Sequence, residues 1–283
     1  MIFYIVIPAH NEAAYIGKTL QSFVAQTIRP TKLLVVNDNS TDNTQQIIDS
    51  FSEKHPFIKS IQYSSEAKHA PGSKVVEAFY FGFNTLDKDF DLIGKFDADI
   101  VLPKQYFEEL LKLFKANDSL GIAGGNLYIK KTLKWEYENI SEKTKVRGPI
   151  KLYRNKCFEA IGGLKKTIGW DTIDGLLATY HEWEIATLKS LHVKHLKPTG
   201  HVYTQAAKYK QGEAFYRMRY GFWLAFIASA KLGFQKKSVS YFIYCVQGFI
   251  HSSRNQTAYS VTSEEGKYIR KVRWQTIKNK LFL

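Results

Sequence analysis

The distribution of apolar and polar positions divides the chain into short, repeating segments. Ile2–Ile7 is an unbroken β-branched and aromatic run, which predicts a strand buried on both faces and stopped by Pro8. From Glu12 to Gln26 the apolar residues Ile16, Leu20, Phe23 and Val24 mark a helical stripe. Lys32–Val36 predicts a second buried strand, ending in Asn37-Asp38-Asn39-Ser40-Thr41-Asp42, a cluster of turn and cap formers. Ile47, Ile48 and Phe51 predict a helix over 44–51, Ile58–Tyr63 a third strand, Lys74–Leu86 a helix, and Leu92–Phe96 a fourth strand. Strand and helix alternate at roughly 25–30 residues per unit, the rhythm of an α/β fold with an open parallel sheet. Beyond residue 200 the texture changes. Gly221–Ala230 is free of charge until Lys231, and Val239–Ile250 is a second apolar and aromatic run. Both fall short of the ~20 residues that span a bilayer, and suit helices lying in a membrane interface or buried in a core.

Size and charge sharpen this picture. A chain of 283 residues with 45% apolar and 23% charged residues forms one large domain, or one domain with an appendage. Cys157 and Cys245 are too few and too distant for a disulfide framework, and no Cys/His cluster suggests zinc, so a reducing, cytoplasmic setting is expected. Met1 leads directly into the first strand without a basic n-region, so no cleaved leader is expected. The net charge of +14 is uneven. Residues 195–283 hold 15 Lys/Arg against 3 Glu, a net of +12, whereas residues 1–194 hold 25 against 23 acidic residues, a net of +2. A basic C-terminal third calls for an anionic partner, nucleic acid or an anionic membrane surface. The Arg270-Lys271-Val272-Arg273-Trp274 stretch has the composition of an interfacial anchor.

Candidate chemistry gathers where the predicted strands end, the place where open α/β sheets bind ligands. Three polar clusters fall there: Ala9-His10-Asn11-Glu12, Asn37-Asp38-Asn39 and Asp97-Ala98-Asp99. Asp97 and Asp99, two apart in a tight turn, can grip a hard divalent cation together with phosphate oxygens. Asp38 can accept from a base or ribose, or form an Asx turn; Asp42 is the better cap. Glu12 can bind ligand or serve as an ordinary first-turn acid. Gly162-Gly163 and the Gly169–Asp174 stretch form a further cluster, where a carboxylate beside Trp170 gains a reason to act as a base through partial desolvation. Asp171 can equally cap the helix expected from Leu176, Leu177 and Tyr180. His195 and Lys197, beside the Pro198–Gly200 turn, can bind metal or pyrophosphate, although a lone His more often fills a structural role.

Taken in order, these segments carry a likeness. Val6-Ile7-Pro8-Ala9-His10-Asn11-Glu12 resembles the opening motif of family 2 glycosyltransferases, and Val35–Asp42 resembles their V-V-D-D-x-S-T-D. Asp97-Ala98-Asp99 falls where their D-x-D falls. Val146-Arg147-Gly148, Tyr153-Arg154, Gly162-Gly163 and Trp170-Asp171 resemble their acceptor-side segment. The resemblance covers residues 2–200 and implies a GT-A fold over 1–200, with a nucleotide-sugar half (1–100) and an acceptor half (101–200), followed by a helical basic membrane-surface segment (201–283). It implies an inverting, one-sugar-at-a-time transfer from a nucleoside diphosphate sugar to a glycan or lipid-linked acceptor, with Mg²⁺ or Mn²⁺. On the donor side it implies Pro8, Ala9, Asn11, Glu12, Asp38, Lys74, Asp97, Ala98 and Asp99. On the acceptor or phosphate side it implies Arg147, Gly163, Trp170, His195 and Lys197, with Asp99, Asp97 and His195 toward the metal. Asp171 is the implied base, with Asp174 second.

Two departures stand out: Asn37 replaces the usual first Asp, and Trp170 replaces the Glu of the family's E-D pair. The tail lacks the Q-x-x-R-W motif of processive synthases. A nucleotidyltransferase would carry a Gly-rich basic loop after the first strand, which Pro8–Glu12 is not. A nucleic-acid-binding protein fits the basic tail but not its apolar runs, and no nucleic acid partner is expected. A sugar-binding protein without activity is the third alternative. The expected location is peripheral, at the inner face of the cell membrane.

Overall fold

The computed structural model describes residues 1–65, 72–139, 143, 145–197 and 205–281. The chain divides into two compact units. The first holds 1–69, 74–164 and 181–199; the second holds 70–73, 165–180 and 200–283.

The first unit is built on a nine-stranded sheet. Its opening strands are β1 (Phe3–Ala9), β2 (Lys32–Asp38), β3 (Ile58–Tyr63) and β4 (Leu92–Phe96), running side by side in the order β3-β2-β1-β4 and parallel throughout. The mostly apolar runs of β1, β2 and β4 are explained by this placement, because parallel strands are covered on both faces. β1 runs through Pro8 to Ala9 instead of stopping before it. The β1–β4 ladder ends at Val6↔Lys95, so Pro8 lies where β1 is paired only with β2, a one-sided position that tolerates a missing N–H.

Helix α1 covers Ile16–Val24 only, shorter than the apolar stripe suggests. Residues 12–15 form a turn instead, with the Glu12 carbonyl accepting from the amides of Tyr15 and Ile16. α2 (Thr44–Lys54) and α3 (Ser73–Phe83) follow β2 and β3. α4 (Tyr106–Ala116) buries Tyr106, Phe107, Leu110, Leu111 and Phe114 along one stripe; Glu108 and Glu109 in its first turn and Lys115 in its last suit the helix dipole. Phe3, Phe23, Phe96 and Phe107 pack ring against ring between sheet and helices, at centroid distances of 5.0–5.7 Å.

The sheet's remaining strands are β5 (Ile100–Val101), β6 (Leu120–Lys131), β7 (Lys134–Tyr137), β8 (Ile150–Arg154) and β9 (Glu184–His195). From β4 onward the order is β8-β6-β9-β5, with β7 paired to β6. Here parallel and antiparallel pairs mix: β8 is antiparallel to β4 and β6, while β9 runs parallel to β6. α5 (Asn155–Ala160) follows β8.

The second unit is helical: α6 (Trp170–Tyr180), α7 (Gln205–Arg217), α8 (Phe222–Gln235), α9 (Val239–Arg254) and α10 (Ser263–Leu281). α9 packs against both α7 and α8. α7 and α9 meet so closely that a Cβ at Gly212 would overlap the Cys245 carbonyl, and one at Gly248 the Tyr209 carbonyl. Among the described residues no helix is long and apolar enough to cross a membrane. The Pro198–Gly200 turn lies outside the described residues.

Candidate active site

The loops after β1 and β2 are stitched together. Asn11 adopts a left-handed conformation (φ 53°), its amide donates to Ser40 Oγ, and its side-chain oxygen accepts from the Thr41 amide at 2.8 Å. The Glu12 amide donates to Thr44 Oγ1 and that of Ala13 to Asp42. Asp42 also accepts from the amide of Thr44, the first residue of α2, while the N-cap position itself is taken by Asn43. These bonds leave Asn11 holding the loop, while the Glu12 side chain points away to Lys197. Asn37 is buried, with its amide group donating to Gln45 and its oxygen accepting from the Ser40 amide. An amide suits this place because it must donate and accept at once, which a carboxylate cannot do. Asp38, also buried, accepts from the Ser65 amide at 2.9 Å. Pro8 and Ala9 are the last residues of β1, and Lys74 lies half-buried in the first turn of α3.

The D-x-D turn spans the gap between β4 and β5. Its geometry is fixed by backbone bonds: the Asp97 amide donates to the Pro149 carbonyl, and the Asp99 carbonyl accepts from the Leu196 amide. The buried Ala98 carbonyl accepts from Thr19 Oγ1 at 2.7 Å. Thr19 thereby ties helix α1 to the turn. Asp97 is ion-paired with buried Lys95.

Because β5 pairs with the end of β9, Ile100↔His195, the imidazole lands beside the turn. Asp97, Asp99 and His195 offer ligand atoms that all lie within 4.8 Å of one another. His195 Nε2 stands 3.6 Å from Asp99 Oδ2, while its Nδ1 lies 3.0 Å from Glu138 Oε2. Glu138 is 2% exposed and also accepts from Arg147 at 2.8 Å. A carboxylate on Nδ1 holds the imidazole in the tautomer whose Nε2 is free to bind a cation. Burial lowers the readiness of His195 to protonate, but the Asp99 and Glu138 carboxylates outweigh it and push its pKa up to about 9.

The fifth member of the cluster is Glu12, whose Oε1 accepts from Lys197 Nζ at 3.1 Å. Its Oε2 is buried without a hydrogen-bond partner among the described residues. Burial raises the Glu12 pKa, Lys197 counters it, and the charges of Asp99 and Asp97 add to the rise. Burial lowers the Lys197 pKa, but Glu12 and Asp99 more than restore it. An unpaired buried carboxylate oxygen beside this group is an acceptor awaiting a donor, such as a ligand hydroxyl or amide. Two carboxylates and an imidazole form a hard, mixed O/N donor set that fits Mg²⁺ or Mn²⁺.

Arg147 stands behind Glu138 instead of facing open space. Gly163 (φ 65°) lies in the turn that follows α5, and a Cβ there would strike the Tyr80 hydroxyl, so its glycine has a packing reason. Trp170 is buried at the start of α6, Asp171 is half-buried in the first turn, and Asp174 is fully buried. These last three belong to the second unit. An apolar groove also lies in this unit, between α8 and α9. Glu138 and Thr19 were not singled out by the sequence.

The family model of glycosyl transferase family 2 matches residues 4–167, more than half of the chain. The chain belongs to glycosyl transferase family 2. Among family relatives, the β-monoglucosyldiacylglycerol synthase of Synechocystis is 21% identical over 258 residues, 82% of this chain and 51% of its own length. The chain thus spans about half the length of that relative. Among solved structures, residues 1–349 of Staphylococcus aureus TarS, in complex with UDP-GlcNAc, superpose with a TM-score of 0.57 at 16% identity, over 75% of this chain and 65% of TarS. The mannosyltransferase PcManGT of Pyrobaculum calidifontis, in complex with GDP-Man and Mn²⁺, gives 0.55 at 11% identity, over 97% and 80%. These likenesses establish the GT-A fold expected from the family resemblance.

Proposed function

We propose that the chain transfers one sugar from a nucleoside diphosphate sugar to an acceptor hydroxyl, with inversion, in the synthesis of a cell-surface polysaccharide or glycolipid. The observation that carries this reading is the meeting of Asp97, Asp99 and His195 at strand ends, beside the Glu12–Lys197 pair. Asp97, Asp99 and His195 would hold Mg²⁺ or Mn²⁺, which when bound neutralises charge on the departing diphosphate. Pro8, Ala9, Asn11, Glu12, Asp38, Lys74 and Ala98 serve the nucleotide side, with Asp38 and Glu12 accepting from nucleoside donor groups. Lys197 adds positive charge toward the diphosphate. Asp171 takes the proton of the acceptor hydroxyl. The new O–C bond forms at the anomeric carbon as its bond to the diphosphate oxygen breaks, and the electron pair leaves with the diphosphate. Asp171 is preferred to Asp174 because it is partly exposed, whereas Asp174 is fully buried. Trp170 and Gly163 belong to the acceptor side in this reading, and Arg147 acts through Glu138 on His195. Residues 1–100 serve the donor, 101–200 the acceptor, and 201–283 the inner face of the membrane. The last point is supported by the net +12 of residues 195–283 and by a relative named for making monoglucosyldiacylglycerol.

Calorimetric titration of the chain with UDP, GDP, ADP and CDP, with and without Mn²⁺, tests the donor site. One diphosphate is expected to bind with micromolar, Mn²⁺-dependent affinity that is lost in Asp99→Asn. Absence of binding to all four would falsify the reading.

A further inference from the structure

Helix α8 is built inside out. Its buried positions are Leu224 and the small residues Ala225, Ser229 and Gly233, whereas its exposed positions carry Phe222, Trp223, Phe226, Ile227 and Phe234. These five recur at helical spacing and form an apolar stripe facing outward. The small inward residues have a packing reason. A Cβ at Gly233 would come within 2.9 Å of the Phe242 side chain, so α8 and α9 approach closely only with glycine there. The large side chains are therefore left outside by a well-packed pair, not by a core that failed to close. α9 continues the surface with Val239 and Ile243. At the turn joining the helices exposure is greatest: Phe234 is 87% and Val239 75% exposed, and Trp223, farther back, is 69% exposed. Between them lies an apolar groove of about 570 Å³ lined by Phe226, Phe234, Val239 and Phe242, with Lys237 at its edge.

Charge identifies what covers this surface. Residues 222–254 contain Lys231, Lys236, Lys237 and Arg254 and no acidic residue. Lys231 interrupts the stripe, and Lys236 and Lys237 stand exposed in the turn beside Phe234. Lysines beside a tryptophan and phenylalanines match the boundary between acyl chains and acidic headgroups. At 14 and 16 residues the two helices are too short to cross a bilayer. We propose that the α8–α9 hairpin is the membrane-docking element of this protein, lying in the interface of an anionic phospholipid bilayer. Phe234 and Val239 enter the acyl region, and Lys236 and Lys237 engage lipid phosphates. The proposal deepens the transferase reading, since it names the surface from which a lipid-linked acceptor would be reached, but its evidence is independent of the donor site.

The test is flotation of the full chain with vesicles of phosphatidylcholine alone and of phosphatidylcholine mixed with phosphatidylglycerol. Binding is expected to the mixed vesicles, weakened by salt, and to be far weaker on phosphatidylcholine. Lys236→Glu with Lys237→Glu should weaken binding by about thirty-fold or more, since each basic residue near such a surface is worth about fivefold. Trp223→Ser with Phe234→Ser should abolish it, and brominated acyl chains should quench the fluorescence of wild type more than of Trp223→Phe. Diphosphate binding in the presence of Mn²⁺ serves as the folding control and should be unchanged in all these variants. Equal binding to both vesicle types, or binding that survives both sets of substitutions, overturns the proposal. So does sedimentation as a dimer that Phe234→Ser dissociates, which would mean that a second copy covers the stripe. Diphosphate binding without vesicle binding sinks the docking element alone; vesicle binding without diphosphate binding sinks the transferase reading alone.

Discussion

His195 is pulled in opposite directions. Burial opposes its charge, yet Asp99 and Glu138 push its pKa up to about 9. Because this lies above the unfolded value, protonation of His195 stabilises the fold fully below pH ~6.5, and that contribution disappears as pH rises through about 9. A cation needs the neutral ring and so competes with that proton. Mn²⁺ affinity measured by calorimetry is therefore expected to rise with pH from neutrality, by up to about tenfold per unit, and to level off near pH 9. Glu138→Gln removes one of the two carboxylates that raise this pKa and frees the ring to turn. It should weaken Mn²⁺ binding by about 10–100-fold and shift the levelling-off to lower pH. A merely structural role for Glu138 would lower stability without moving that pH profile. Asp97, Asp99, Asp38 and Glu12 are legible in the sequence because each lies at, or within three residues of, the end of its strand, so the element and the ligand group are read together. Glu138 is not legible. Its partners stand 57 and 9 residues away, and nothing near Tyr137 marks it as buried. His195 is half legible, as a residue type without a visible partner.

The strands explain which parts of the fold can be read ahead of the structure. β1, β2 and β4 are short, mostly apolar and buried, so composition alone marks them. β6 and β9 are each twelve residues long and irregular. β6 is interrupted by Gly124-Gly125, and β9 mixes exposed polar positions with half-buried ones. Their pairing jumps from Gly124↔Thr187 to Asn126↔His192, a bulge that no local pattern announces. Yet this irregularity sets the site, because the register beyond it ends at Ile129↔His195. A Cβ at Gly125 would lie 2.4 Å from the Leu191 carbonyl oxygen, at the bulge itself. Gly125→Ala is therefore expected to cost about 1–3 kcal/mol in chemical denaturation. It should also reduce Mn²⁺ affinity although residue 125 touches no ligand atom, whereas Gly169→Ala, strained only by its φ of 76° with open space around it, should leave Mn²⁺ binding unchanged.

At the scale of the whole molecule, the chain separates two kinds of chemistry that its sequence already keeps apart. The near-neutral first 194 residues hold every carboxylate of the proposed donor site, and the basic remainder holds the exposed apolar stripe. Linkage makes that separation measurable. A ligand that binds only the folded state at about 100 times its Kd adds about 2.7 kcal/mol of stability. For a chain of 283 residues this corresponds to a rise in Tm of about 5 °C. The diphosphate with Mn²⁺ is expected to produce that rise in wild type and in the doubly substituted Trp223→Ser, Phe234→Ser chain, but not in Asp99→Asn. Differential scanning calorimetry of the three proteins decides the matter. If Asp99→Asn keeps the shift, the stabilising ligand does not act through the Asp97–Asp99–His195 cluster. If the stripe variant loses it, the two regions are coupled and the hairpin contributes to the donor site. The expected pattern requires the charge asymmetry, the strand-end carboxylates and the outward stripe of α8 to be three separate properties of one chain.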